Sequence, residues 1–336
     1  MVGINEILLF LFSVLVFPGL IFVTLLTMLS EWWLRKITAR AQKRMGPSYV
    51  GPFGILQPFA DFIKLITVKE EIRQKYSTVK LAKVFAFLGI GAVIAVLLLL
   101  PLSPLRLVSS YDIIAISYFC CVWVPLAMIV MALSLPNPFT AGGVSRLLSI
   151  YAICEPAYFI SILVPIALVN GLIGSEVPYS VFETSQKVWI LWSNPVTAII
   201  LFLALVAVTV VTQSKAMLAP FNIPEAEQEL IAGPMTEFSG PLLALNNLLH
   251  ESDLAVTLLI TTYLFLGGPY PFPHLSVLGA LVFIAKYIVL LTVVAIIQSV
   301  FGRFRIEQAL STLVRYSLIP GVIALVAAMA VSAFSI

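Results

Sequence analysis

Residues 238–268, "FSGPLLALNNLLHESDLAVTLLITTYLFLGG", decide how this chain folds, because the helix they encode can begin in two places. Begun after Asp253, it would leave too few residues before "GGPYPFP" to cross a hydrocarbon core, which takes about 20. Begun at Phe238, it runs to Leu266, is long enough to span, and carries His250, Glu251 and Asp253 to membrane depth. A charged side chain there costs at least about 2.5 kcal/mol on insertion scales, so such groups are expected to face other helices or water.

The rest of the chain favours the spanning reading. Of 336 residues, 61% are hydrophobic and 10% charged, and the mean hydropathy is +1.08, outside the range of soluble domains. The expected fold class is therefore an all-α integral membrane protein. Apolar runs predict about eight spans, near 5–30, 82–101, 112–135, 147–172, 195–218, 238–266, 277–300 and 312–335. The first run ends in "SEWWLRK" without a small-residue cleavage site, so it reads as a retained helix. No repeat or disordered tract divides residues 1–336, which read as a single polytopic membrane domain.

Counting Lys and Arg by loop sets the orientation. Eleven lie between Arg35 and Lys83, and Arg146, Lys215, Arg303, Arg305 and Arg315 fall on the same face, against Arg106 and Lys187 on the other. The positive-inside rule then puts the 31–81, 136–146, 213–240 and 301–311 loops in the cytoplasm and both termini outside, as for a multi-pass protein of the cell membrane. In the first of these loops, Ile55, Leu56, Phe59, Phe62, Ile63 and Ile66 share one helical face while Gln57, Asp61 and Lys64 take the other. This predicts an amphipathic helix over about 52–68 lying on the cytoplasmic surface, either as an anchor or as the wall of a cavity.

Cys120, Cys121 and Cys154 form no metal-ligand pattern, and neither GxGxxG nor GxxxxGK[ST] occurs, so no cofactor is expected in this chain. The lipid bilayer is a partner; nucleic acid is not. In the acidic loop over about 213–240, "APFNIPEAEQEL" sets Asn222 three residues before Glu225 with Pro224 between, which predicts a helix start with a capping-box-like arrangement. Glu225 and Glu229 would then share a face at i, i+4, and with Glu227 they either form a solvated face or serve a partner or a proton path. Glu155 lies about two turns into the fourth span, and Glu237 opens the sixth. Lys286, in the middle of the seventh, is the expected counter-ion for the His250–Asp253 cluster. These deep charges are either structural ion pairs or a pathway.

Several long motifs resemble one family: the membrane subunit at the quinone chamber of respiratory complex I (NADH dehydrogenase subunit 1) and its counterparts in membrane-bound nickel-iron hydrogenases. They are "RMGPSYVGPFGILQPFADFIKL" at 44–65, "PFNIPEAEQEL" with "TEFSG" at 220–240, "GRFRIEQ" at 302–308, and the spacing of Arg146 and Glu155. "GPMTEFSGPLLAL" and "EPA" at 155–157 are more similar to the hydrogenase-type branch, which includes formate hydrogenlyase and archaeal sulfur-reducing complexes. Asn222 and Gln298 stand where quinone-reducing relatives have Asp and Arg, and Glu251 is offset by one position from their mid-helix Glu.

The resemblance implies a membrane-anchor and energy-coupling subunit that is not itself catalytic. Its cytoplasmic face would dock hydrogenase-like large and small subunits and an Fe-S electron-transfer subunit, the Fe-S clusters and a NiFe centre being on those partners. Antiporter-like membrane subunits would then move H+ or Na+. By the same resemblance Glu155, Glu225, Glu227, Glu229, Glu237, Glu251, Asp253 and Lys286 fall to a proton or charge path, and Arg40, Arg44, Asp61, Lys64, Arg146, Arg303 and Arg305 to the cavity and docking face. Two other readings stay open: the quinone-chamber subunit of an NADH-, reduced-deazaflavin- or ferredoxin:quinone oxidoreductase, and a stand-alone secondary transporter.

Overall fold

The computed structural model describes residues 4–72, 74–105, 107–273 and 276–334. Arg73 and Arg106, both used in the loop count, lie outside them. Among the described residues there is no strand, and eight helical segments are long and apolar enough to cross a membrane.

In chain order the helices are α1 (Ile4–Leu15), α2 (Leu20–Ala41), α3 (Gln57–Thr67), α4 (Val79–Leu99), α5 (Asp112–Ser117), α6 (Val124–Leu133), α7 (Pro138–Leu172), α8 (Val181–Leu191), α9 (Pro195–Lys215), α10 (Glu227–Leu230), α11 (Gly240–Leu266), α12 (Val277–Val300), α13 (Ile306–Leu313) and α14 (Ile319–Phe334). α1 and α2 together make the first crossing segment, as do α5 and α6 the third and α13 and α14 the last. A wide π-helical turn, Tyr118–Trp123, joins α5 to α6, and another, Val314–Leu318, joins α13 to α14.

The fold is built around α11. From Ser252 to Phe265 every residue is buried, so this helix is enclosed on all sides rather than along one stripe. α2, α3, α4, α8, α9 and α12 pack against it, while α7, α9 and α14 form a second packed group. Large apolar side chains left exposed, such as Leu8 and Phe10 on α1 or Leu281 and Val289 on α12, suit contact with lipid.

Three helices begin or end outside the apolar runs that reveal them. The first crossing segment continues to Ala41, the fourth begins at Pro138 and the last at Ile306. Hydropathy falls where a helix leaves the hydrocarbon, but its backbone hydrogen bonds do not require lipid. At about 1.5 Å per residue, α7's 35 residues reach well beyond a core of about 30 Å. Asn137 caps the new start by accepting from the Phe139 N–H at 2.9 Å. Glu31, Arg35, Arg40 and Arg146 thus stand on rigid helical extensions, not in loops. The predicted amphipathic helix is α3, which starts only at Gln57 because a tight turn at Pro52–Gly54 precedes it and leaves Ile55 and Leu56 outside; Asp61 is bonded by Arg35 Nη1 at 3.3 Å and lies 3.6 Å from Lys64 Nζ on its polar face.

Candidate functional site

The acidic loop is held from three sides. Arg146, on the extension of α7, pairs with Glu229 at 2.5 Å. The Phe304 N–H donates to the Pro220 carbonyl at 3.0 Å, and Arg303 Nη2 donates to Gln228 at 3.4 Å, so "GRFRIEQ" fastens to the far side. Glu237 accepts from the amides of Gln74 and Asn137, the residue that also caps α7. Gly143 of α7 lies so close to Gly233 and Pro234 that a Cβ there would be 2.6 Å from the proline ring.

Two expectations for this loop do not hold. α10 has only four residues, is preceded by Ala226, which offers no side-chain cap, and leaves the Asn222 side-chain oxygen enclosed with no partner. No helix therefore runs from Asn222 through Glu225, and Glu225 and Glu229 do not share a helical face: Ala226, at ψ 93°, is extended between them, and Ile231, at φ 62°, ends the short helix. Nor does Glu237 open the sixth span, because α11 starts at Gly240 behind the turn at Gly233–Met235, and the distance from Glu237 to Glu251 cannot be measured along one helix. Glu227 and Glu229 are exposed, while Glu225 is half-buried with Oε1 enclosed and unpartnered.

Burial pushes the Glu225 carboxyl above its ordinary range, with His250 opposing and Glu251 reinforcing the shift. Its ionisation therefore works against folding, and its contribution to stability falls as pH rises from the unfolded-state value through the folded-state one. Glu225→Gln should match the parent at acid pH and become the more stable of the two as pH rises. Melting temperatures measured across pH check this; a difference that stays flat would count against the burial argument.

Beside the loop a cavity of about 480 Å³ opens between α2 and α11, lined by Glu31, Arg35, Arg44, Leu218, Glu251 and Gln298 among others. Glu31 pairs with Arg35 one turn along α2, and Thr38 bonds Gln298 of α12 at 3.3 Å. His250 Nδ1 stands 4.0 Å from Glu251, and its Nε2 is enclosed without a partner. Arg44 lines this cavity; Arg40 and Arg305 are exposed outside it.

Asp253 faces elsewhere. Two residues apart on a helix, Glu251 and Asp253 project about 200° from one another, so one meets the cavity and the other the interior. There Lys215 Nζ, fully buried, donates to both oxygens of Glu155 at 2.8 and 3.0 Å and lies 3.7 Å from Asp253. It also donates to the Cys120 carbonyl at 3.2 Å and sits 5.4 Å from the centre of the Tyr158 ring. That carbonyl is free for a covalent reason. In the wide turn the Val124 N–H returns to Phe119, so the next bond would come from Pro125 to Cys120, and proline has no N–H.

Lys286 is not the counter-ion expected for this cluster. Its Nζ donates to the carbonyls of Leu266, Gly268 and Tyr270 at 2.7, 3.0 and 2.8 Å, closing the far end of α11. Lys215 takes the place assigned to it. Reading the sequence span by span hid this, because Lys215 counts as a loop charge at the end of α9 until α7 and α11 are packed against it. Glu31 and Arg35 were also missed, although their i, i+4 spacing after the first apolar run is a usable signal.

A family model described as NADH dehydrogenase matches residues 14–329, nearly the whole chain. The chain belongs to the NADH dehydrogenase family, that of complex I subunit 1. A solved relative of this family member is a chain of the membrane-bound sulfane sulfur reductase, an archaeal respiratory membrane complex. The two are 26% identical with a TM-score of 0.74, over 95% of this chain and 99% of that one. The family read from the motifs, and the all-α multi-pass fold, are those found.

Proposed function

We propose that this NADH dehydrogenase family member is the membrane-anchor and energy-coupling subunit of a complex I-like respiratory complex. Its cavity face docks a cytoplasmic redox module whose own subunits carry Fe-S clusters, of hydrogenase or sulfur-reductase type, and antiporter-like membrane subunits move H+ or Na+ in response. The observation that carries this reading is α11, which presents Glu251 to a surface-accessible cavity and Asp253 to a buried ion cluster. The similarity to a chain of a respiratory membrane complex over almost its full length supports it.

The cavity walls bear on the chemistry. Small-molecule pockets are mainly apolar with few polar groups. This one sets Glu31 and Glu251 against Arg35 and Arg44 on a wall shared with Leu34, Met45, Pro47 and Leu218, so groups able to exchange protons make up an unusually large part of it. Glu251→Gln in the purified complex should leave electron transfer by the redox module intact and lower coupled ion movement about tenfold or more. Unchanged ion movement would remove Glu251 from the path. Quinone retained in the purified complex would instead assign the cavity to a quinone-reducing subunit.

A further inference from the structure

Lys215, Glu155 and Asp253 present a problem of charge balance. Two carboxylates face one ammonium, and all three side chains are at least nine-tenths buried. With every group ionised the cluster would hold a net charge of minus one away from water, a state that costs several kcal/mol unless another charge compensates it. The other titratable groups facing the triad are Cys120 and Cys121 in the wide turn, Tyr151, Cys154 and Tyr158 on α7, and His250 on α11. Of these only His250 can supply a positive charge, and its Nδ1 is turned toward Glu251.

The geometry is also asymmetric. Lys215 binds both oxygens of Glu155, whereas the nearest Asp253 oxygen is 3.7 Å away. An ammonium between two equal carboxylates has no reason to favour one so strongly. The arrangement is the one expected when Glu155 is ionised and Asp253 is neutral. The other Asp253 oxygen accepts from Cys120 Sγ at 3.7 Å, a weak donor that adds little to the charge balance.

We propose that the triad is a built proton-binding site that holds one proton, carried on Asp253, with Lys215 permanently charged and setting the count. Release transfers that proton from the Asp253 carboxyl to water and leaves the triad singly negative. The Lys215 ammonium, now facing two carboxylates, is drawn away from Glu155 toward Asp253. Rebinding reverses both changes. The cluster thus converts arrival of a proton into a displacement between α7, α9 and α11. This deepens the coupling reading, but the proton count is a property of the chain whether or not the complex pumps, so failure of one leaves the other standing.

The count equals carboxyls minus ammonium, and difference infrared spectroscopy of the purified complex reads it through the protonated-carboxyl stretch. Relative to the parent, Asp253→Asn and Glu155→Gln should each lose one such band, since each leaves a neutral ion pair. Lys215→Met should gain one, and Lys215→Met with Asp253→Asn should return to the parent's number. The double variant protects the test from a failure to fold, because its cluster is neutral and it differs from Asp253→Asn only at Lys215. An Asp253→Asn complex with the band intact, or a double variant with no more band than Asp253→Asn, overturns the proposal.

Discussion

Lys215→Met is expected to destabilise the chain by about 3–5 kcal/mol at neutral pH, the cost of removing one partner from a buried ion cluster. Glu155 and Asp253 would then share a site with no cation, and the Cys120 carbonyl would lose its donor. Since protons can restore neutrality, the deficit should shrink as pH falls, because the variant's cluster takes up two protons on folding where the parent's takes up one. Melting temperature in detergent at several pH values measures both effects. Adding Glu155→Leu should recover most of the loss at neutral pH, because the remaining carboxyl can stay neutral at smaller cost. A deficit independent of pH would point to lost packing of the lysine stem instead.

Gly233→Ala should be nearly as damaging, but locally. Gly233 sits at φ +51°, where a side chain is strained, and a Cβ would lie 1.8 Å from the Pro224 carbonyl oxygen. The clash is with backbone, and α7 presses on the same turn through Gly143, so relief requires the main chain to shift. About 2–4 kcal/mol is the expected range for a backbone clash of this kind. The damage should appear as proteolytic cleavage in 224–237 and loss of the docked redox module on purification, with the helices intact. Assembly and protease resistance like the parent's would show that the loop can shift without consequence.

The sequence made the fold legible because lipid constrains it so tightly. Apolar runs must be helices, and the eight runs correspond to the eight crossing segments. What it could not show was where helices continue into water, since hydropathy marks the hydrocarbon and not the hydrogen-bond ladder. That is why Glu31 and Arg146 were placed in loops. The site was partly legible as well: the Glu251 and Asp253 positions followed from length alone, and the acidic loop from its motif. Their partners did not. Lys215 and Lys286 look alike in sequence, one at a helix end and one mid-span, and only packing decides that the first meets carboxylates and the second meets carbonyls. Asn222 followed the capping rule in spacing, yet the chain around it turns before a helix can form.

The Lys286 clamp has a mechanical consequence. Three carbonyls at one end of α11 are tied to a single side chain of α12, so that end is an anchored support. The other end meets the turns at Gly233 and Ser239, which are held in their own way: Asn137, the cap of α7, binds Glu237, and the Ile72 N–H donates to Ser239 Oγ at 2.8 Å. A helix held at both ends behaves as a supported beam. Glu251 and Asp253 sit near its middle, between the Lys286 clamp and the acidic loop, so both supports bear on them.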